Sequence, residues 1–379
     1  MNEIQFRENC LDQYHLLMKT CSGKVTKYVS SALEEIVNDS DRSERSKYLV
    51  NAIHKKRENS PRLREFIIEQ AYIASKNDNQ IVEDIYKIGS AIEVYNLSTY
   101  LINWFLDKKG EVNDRADEQR VVIEGMKLYD KSKKMIRKTS VESSIKEKII
   151  IELEEVNNKI YLGQGDDIDT LNLRNKAHKL PIEDYLPLYE KACRRKCGYF
   201  LGFVARIGGY LAKASEKKIK SLTEFGIALG TGIQIVNDVA DNIPAKKAAS
   251  IERPYQDQFS DIENGLITAS VYSAIQQKPE LEDYLNKELK SKDKLKIYEV
   301  LKKTQSFDLP MYMTRRLGQK IAKKALKESF DKDSRKYLSQ MTIILNNSRI
   351  YNYLKKQRYQ RNTSLKDIYI KIKNPNSRV

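Results

Sequence analysis

Apolar residues recur at helical spacing along almost the whole chain, and only 8 prolines and 15 glycines interrupt its 379 residues. Ile67, Ala71 and Ala74 make one such stripe; Ile150, Leu153, Val156 and Ile160 make another. Residues three and four apart share a helix face, so this spacing turns one side of each helix toward a core. No segment alternates apolar and polar residues in the manner of a strand. The pattern predicts an all-α fold of many helices of about 12–25 residues. Breaks are expected at 77–80, 108–113, 163–169, 213–217, 242–254 and 277–280. Neither a Ser/Gly-rich linker nor a fixed-period repeat divides the chain. The expected organisation is an N-terminal helical segment over 1–44, one helical domain over 45–353, and a basic tail over 354–379.

Composition narrows the class. Phe225–Val236 is the longest uncharged apolar run, and it is too short to cross a bilayer, which takes about 20 residues. Met1–Cys10 carries charges and lacks the apolar stretch of a secretory signal, so a cytoplasmic location is expected. The net charge of +16 suits nucleic acid, an anionic membrane surface or a polyanionic small substrate. A Lys-, Ile- and Asn-rich composition accounts for part of that charge by itself. No zinc-finger, RNP-type or helix-turn-helix signature is present, which argues against nucleic acid. Cys193 and Cys197 stand one helical turn apart, but with His15, His54 and His178 the only histidines, free thiols are expected rather than a zinc site. The tail after Leu354 has one acid, Asp367, and reads as a frayed end or as a surface for an anionic membrane.

Three acid-bearing segments lie in or beside apolar helices. Ala91–Asp107 reads AIEVYNLSTYLINWFLD, with Asn103 and Asp107 four apart on one face. Gly163–Asp167 reads GQGDD, where a helix is expected to end. Gly230–Asp241 reads GTGIQIVNDVAD; its spacing puts Gln234, Asn237 and Asp241 on one face and Asp238 to the side. The apolar surround of this helix implies that Asn237 and Asp241 point inward, where a carboxylate needs a charge partner or a metal. Oxygen ligands without Cys or His point to a hard cation such as Mg²⁺.

These segments resemble, in order, the motifs of the trans-isoprenyl diphosphate synthases. Ala91–Asp107 is similar to the family's first aspartate-rich helix, with DDxxD here reading Asn103-Trp104-Phe105-Leu106-Asp107. Gly230–Asp241 resembles the second, reading NDVAD, and Gly163–Asp167 resembles GQxxD. Ser60–Glu65 is similar to GKRLRP with Pro61 at the lysine, Ser260–Ala269 to SDxxxGKxTxP with Leu266 at the lysine, and Lys191-Ala192 to the KT dipeptide. The resemblance runs from about Ser46 to Arg349.

The resemblance implies an isoprenoid synthase-type helical bundle around a deep cavity, and a homodimer. It implies Mg²⁺ ions, three with bound diphosphate, at Asn103, Asp107, Asp167, Asn237 and Asp241. Arg64, Lys108, Lys109 and Lys191 would bind the substrate diphosphate; Lys191 and Gln234 would be catalytic. Asparagine can ligate Mg²⁺ but brings no charge, so weaker metal binding is expected. The departures fall on the half of the site that holds isopentenyl diphosphate: Pro61 replaces a lysine, and lysines or gaps replace arginines, without the bidentate fork. The resemblance therefore implies an enzyme that ionises an allylic prenyl diphosphate, releases pyrophosphate and quenches the cation as a terpene synthase does. Asn237 at the head of the second motif suits that reading; Ala245, where cyclases place a glutamate, does not. A chain-elongating prenyltransferase and a non-catalytic regulatory subunit are the alternatives. Small residues, Ser98 and Thr99, one turn before the first motif imply room for a chain of C20 or longer, unless Tyr95 or Tyr100 closes it.

Overall fold

A computed structural model describes residues 23–38, 42–58, 63–76, 83–106, 112–170, 176–244, 258–347, 364 and 367–368. Among them every regular element is helical, as the apolar spacing predicts. Helix α1 covers 23–37, followed by α2 (Glu44–Glu58), α3 (Leu63–Lys76), α4 (Glu83–Leu106), α5 (Arg115–Arg137) and α6 (Ser143–Thr170). Then come α7 (Ile182–Cys193), a π-turn (Arg194–Gly198), α8 (Tyr199–Leu211) and α9 (Glu216–Asp241). Shorter helices follow: Ser260–Glu263, Ala269–Ile275, Ser291–Lys303, Asp308–Arg315, a second π-turn at Arg316–Ala322, Lys323–Lys327 and Lys336–Asn347. No described helix is long and apolar enough to cross a membrane. The expected breaks at 213–217 and 277–280 overlap the turn before α9, which begins at Glu216, and the turn that leads into a 3₁₀ helix at Pro279–Tyr284, whereas α6 runs on through Gly163–Asp167 to Thr170. GQGDD thus lies within the last turns of a helix and not beyond its end, a correction to the sequence reading.

The chain divides into two compact units. The first takes in residues up to Glu154, Phe203–Leu222 and Ser329–Gln340. Its core holds the predicted stripe of Ile67, Ala71 and Ala74, together with Ile88, Ala91, Ile92 and Tyr95 of α4. Helix α5 packs along α4. It starts on Asp114, whose carboxylate accepts from the Asp117 amide at 2.8 Å, and it ends on Lys134 and Arg137, which suit the negative end of its dipole. A Cβ on Gly125 would lie 3.1 Å from the Ser98 carbonyl oxygen, so the two backbones approach closely there. Tyr95 turns its ring onto Tyr129, 5.7 Å away.

Ionic contacts tie the other face of α5 to the chain before it. Asp117, Glu124 and Lys131 recur every seven residues, two helical turns, and meet Arg45, Arg42 and Glu35. Asp117 and Glu124 are almost fully buried. The Arg45 guanidinium, with the Asn113 amide and Arg120, draws the Asp117 carboxyl down from 3.8 to about 2. Its stabilising share is therefore complete above the unfolded value and is lost as pH falls through the folded one. The wild-type melting temperature is expected to fall between about pH 4 and pH 2 more steeply than that of Asp117→Asn, which lacks this titration. Parallel acid melts of the two proteins would refute the assignment.

The second unit comprises Glu155–Gly202, Thr223–Glu328 and the residues after Met341. Its core is built where α9 meets the π-turn and the start of α8. A Cβ on Gly226 would overlap the Leu201 carbonyl, and one on Gly230 the Cys197 carbonyl. From the other side, a Cβ on Gly198 would fall 2.6 Å from Thr231 Oγ1, and one on Gly202 2.7 Å from Ile227 Cγ1. Each partner thus offers two glycines four residues apart, and the backbones meet at a distance no other residue allows.

Candidate active site

The π-turn sets the site. Its i→i+5 hydrogen bond, from the Tyr199 amide to the Arg194 carbonyl, admits one extra residue and shifts the helical register. The shift directs Arg195 and Lys196 to neighbouring acids at the end of α6. Arg195 Nη1 donates to both carboxylate oxygens of Asp166 at 2.8 and 2.9 Å. Lys196 Nζ donates to Asp167. Gly163 lets α6 come this close, for a Cβ there would meet the Lys196 amide nitrogen at 2.8 Å.

Helix α9 supplies the facing carboxylate. Tyr189 Oη donates to Asp238 Oδ2 at 2.5 Å, and Gln234 Nε2 donates to Asp238 Oδ1 at 2.8 Å. Asp167, Lys196, Gln234, Asp238 and Tyr189 line one cleft, with about 490 Å³ of empty space including its open mouth. Burial works against charge on the Lys196 ammonium, but Asp167, Asp238 and Asp261 outweigh it and hold the group protonated, above the usual lysine range. Burial lifts the Asp238 carboxyl, against the pull of Lys196 and of its two hydrogen-bond donors. Tyr185 and Leu266 make an apolar wall, with Tyr185 stacked on Tyr272 at 3.8 Å and hydrogen-bonded to the Ile267 carbonyl. Cys193 also lines the cleft as a free, buried thiol, and burial raises its pKa.

Not every expected residue stands where its spacing suggested. Asp167 and Gln234 line the cleft. Asp238, read as lying to the side, shares a face with Gln234 and points into the cleft, while Asn237 is exposed. The inward direction expected for Asn237 is therefore corrected. Asp241 is turned to the chain that follows it. Its carboxylate accepts from the Ser260 amide at 3.1 Å, Ser260 Oγ at 3.0 Å and the Asp261 amide at 3.2 Å. Lys191 is half-exposed, 3.7 Å from Asp166, and it is Lys196 that reaches Asp167. Sequence reading passed over Lys196, although it stands three residues after buried Cys193 and seven after buried Tyr189, on the same apolar stripe.

In the first unit, Asn103 is half-buried in the last turn of α4, and Trp104 is packed into the core. Asp107, Lys108 and Lys109 lie outside the described residues, as do Pro61 and Ala245. Arg64 stands 3.7 Å from the carboxylate of buried Glu93.

Comparison with known proteins agrees with this architecture. The polyprenyl synthetase family model matches residues 46–303. A geranylgeranyl diphosphate synthase of Saccharolobus solfataricus is 27% identical over 164 residues, 41% of this chain and 48% of that protein. One of Methanosarcina mazei is 23% identical over 259 residues, 66% of this chain and 73% of the relative. The chain thus spans about half the length of the first and about three-quarters of the second. The crystal structure of a polyprenyl synthase from Caulobacter crescentus CB15, complexed with calcium and isoprenyl diphosphate, matches with a TM-score of 0.69 at 17% identity, over 89% of this chain and 98% of that one. That likeness establishes the fold. With a family match over more than half of its residues, the chain belongs to the polyprenyl synthetase family.

Proposed function

We propose that this protein ionises an allylic prenyl diphosphate, releases pyrophosphate and quenches the resulting cation itself, as a terpene synthase does. The Asp167–Lys196–Asp238 cluster carries this reading: a partly buried ammonium among carboxylates, on the wall of a cleft, beside an apolar face. Leu266 is part of that apolar face, where the motif resemblance leads one to expect a lysine. With Pro61, it leaves fewer cations for a second diphosphate substrate.

The donor set suits a hard divalent cation: the acids are oxygen ligands, no imidazole lines the cleft, and burial keeps the neighbouring Cys193 a neutral thiol. Among the described residues, no three acidic, His or Cys side chains gather into a ready site, so diphosphate oxygens would have to complete the shell. Of the residues the motifs offer, Asp167 lines this cleft and is proposed to hold Mg²⁺ there, and when bound the ion would neutralise the leaving pyrophosphate. The chain's own groups do the rest. Lys196 donates to the diphosphate as the allylic C–O bond breaks and its electron pair leaves with the phosphate oxygen. Tyr189 and Gln234 fix the Asp238 carboxylate. The Tyr185–Leu266 wall keeps water from the cation until it loses a proton or takes up one water molecule. Lys191, which stands beside Asp166 on the same unit, is proposed as a further diphosphate contact.

A second reading, chain elongation, is favoured by the relatives, both named geranylgeranyl diphosphate synthase. One assay separates the two. Purified protein is incubated with Mg²⁺ and geranyl, farnesyl or geranylgeranyl diphosphate, with and without isopentenyl diphosphate, and pyrophosphate is followed. Release without isopentenyl diphosphate is expected. Release that depends on it would replace the proposal with elongation.

A further inference from the structure

Residues 287–303 of the second unit carry seven lysines against three acids, Glu288, Asp293 and Glu299. The fold sorts these charges by face. Ile297, Tyr298 and Leu301 turn the inner side of the Ser291–Lys303 helix into the core. Lys294 goes with them: its ammonium lies 3.0 Å from Glu263 and donates to the Gln258 carbonyl at 2.9 Å. Lys292, Lys296 and Lys303 stand on the opposite side of the helix, and all three are exposed. Two of the three acids are already engaged. Asp293 accepts from the Lys290 amide at 3.2 Å, and Glu299 lies 3.3 Å from Lys302. Lys287 and Lys290 continue the run of exposed lysines ahead of the helix. Their turn is pinned to the body, for the Asn286 amide donates to the Ile262 carbonyl at 2.9 Å and the Leu289 amide to Glu263 at 3.0 Å. Leu295, one turn on from Lys292, is 47% exposed among these lysines.

A leucine left in water among ammonium groups suits one kind of polyanion. Nucleic acid offers phosphates with no apolar layer for Leu295 to enter. An anionic bilayer offers charged headgroups over an apolar layer. We propose that the outer face of the Ser291–Lys303 helix docks on anionic lipid, with its lysines at the headgroups and Leu295 directed toward the acyl chains. The sequence reading offers the tail after Leu354 for such a contact; here a folded surface carries the charge. An uncharged prenyl product would then leave the protein beside the bilayer that dissolves it. That last step rests on the proposed function, whereas the docking itself does not.

Flotation of the full chain with lipid vesicles tests this. Binding is expected to phosphatidylcholine vesicles with about 30% phosphatidylserine, not to phosphatidylcholine alone, and to fall as salt rises from about 0.1 to about 0.5 M. The triple variant Lys292→Gln, Lys296→Gln, Lys303→Gln should bind about 100-fold or more weakly. Leu295→Gln should bind about 5-fold more weakly. Removing three exposed lysines elsewhere, in Lys217→Gln, Lys220→Gln, Lys327→Gln, should change binding little. Both triple variants should melt with the wild type and release pyrophosphate at its rate, because all six side chains are on the surface. Equal losses in the two triple variants would reduce the effect to net charge and overturn the proposal. Full binding by the helix variant would place the contact on another part of the chain and overturn it too. A wild type that ignores the vesicles but binds a random-sequence DNA duplex, and loses it in the helix variant, would make the partner nucleic acid instead. Vesicle binding by a protein that leaves prenyl diphosphates intact would keep this inference and lose the proposed function.

Discussion

Gly230→Ala is expected to destabilise the protein by about 1–3 kcal/mol, the usual cost of overpacking a close contact, and to cut pyrophosphate release in whatever fraction still folds. The added Cβ would overlap the Cys197 carbonyl and crowd the Gly198 Cα at 3.0 Å. Both are backbone atoms, which cannot rotate away as a side chain does. The π-turn would have to retreat, taking Lys196 with it, and the cleft would lose the register that holds the ammonium on Asp167. Gly226→Ala, whose Cβ would overlap the Leu201 carbonyl, should act in the same direction. The two sites lie one turn apart on the same contact, so their effects should not add. Gly165→Ala is the control. Nothing lies within 4 Å of a Cβ there, and alanine is the better helix former by up to about 1 kcal/mol, so this variant should be as stable as the wild type or slightly more so. Urea denaturation of the three variants checks the account. A Gly230→Ala protein as stable as the wild type would mean that the close approach of α9 to the π-turn is not what sets the site.

The second large effect is expected at Asp238. Asp238→Ala removes the acceptor for both Tyr189 and Gln234 and takes one of the carboxylates from Lys196. Buried donors left without an acceptor cost about 1–3 kcal/mol, so a loss of stability should accompany the loss of activity. Asp238→Asn separates the two. The amide oxygen can still accept from one donor and the volume is kept, but the charge is gone. This variant should melt near the wild type and yet release pyrophosphate about 100-fold or more slowly, the scale seen when a preorganised electrostatic group is removed. Near-normal release by Asp238→Asn would show that the charge of Asp238 is not used.

These two predictions rest on features of different legibility. The helical architecture follows from spacing: Ile67, Ala71 and Ala74, and Ile150, Leu153, Val156 and Ile160, are buried as the pattern requires. The carbonyl contacts of Gly226 and Gly230 are not legible, because a glycine in a helix looks the same whether it meets solvent, as Gly165 does, or another backbone. The π-turn is equally hidden. Its extra residue leaves no composition signal, and among Lys191, Arg194, Arg195 and Lys196 the dipeptide resemblance selected Lys191. The buried stripe through Tyr185, Tyr189 and Cys193 points instead to Lys196, a signal present in the sequence but not used. At α9 the spacing of Gln234, Asn237 and Asp241, at i, i+3 and i+7, assigns the inward face to Asn237 and Asp241. The Gln234–Asp238 pair is i,i+4, and Gln234 Nε2 donates to Asp238, which draws that carboxylate onto the cleft face. Asp241 went elsewhere because the start of the Ser260–Glu263 helix presents two amides that need an acceptor, a demand made by residues distant in sequence.

The central claim is that the cleft ionises an allylic diphosphate. It is tested most directly by pyrophosphate release from geranylgeranyl diphosphate, in Mg²⁺ and without isopentenyl diphosphate, by the wild type and Asp238→Asn side by side. Steady release by the wild type, a product that no longer carries diphosphate, and loss of both in Asp238→Asn are the predicted results. No release from geranyl, farnesyl or geranylgeranyl diphosphate under any of these conditions, or equal release by the two proteins, would contradict it.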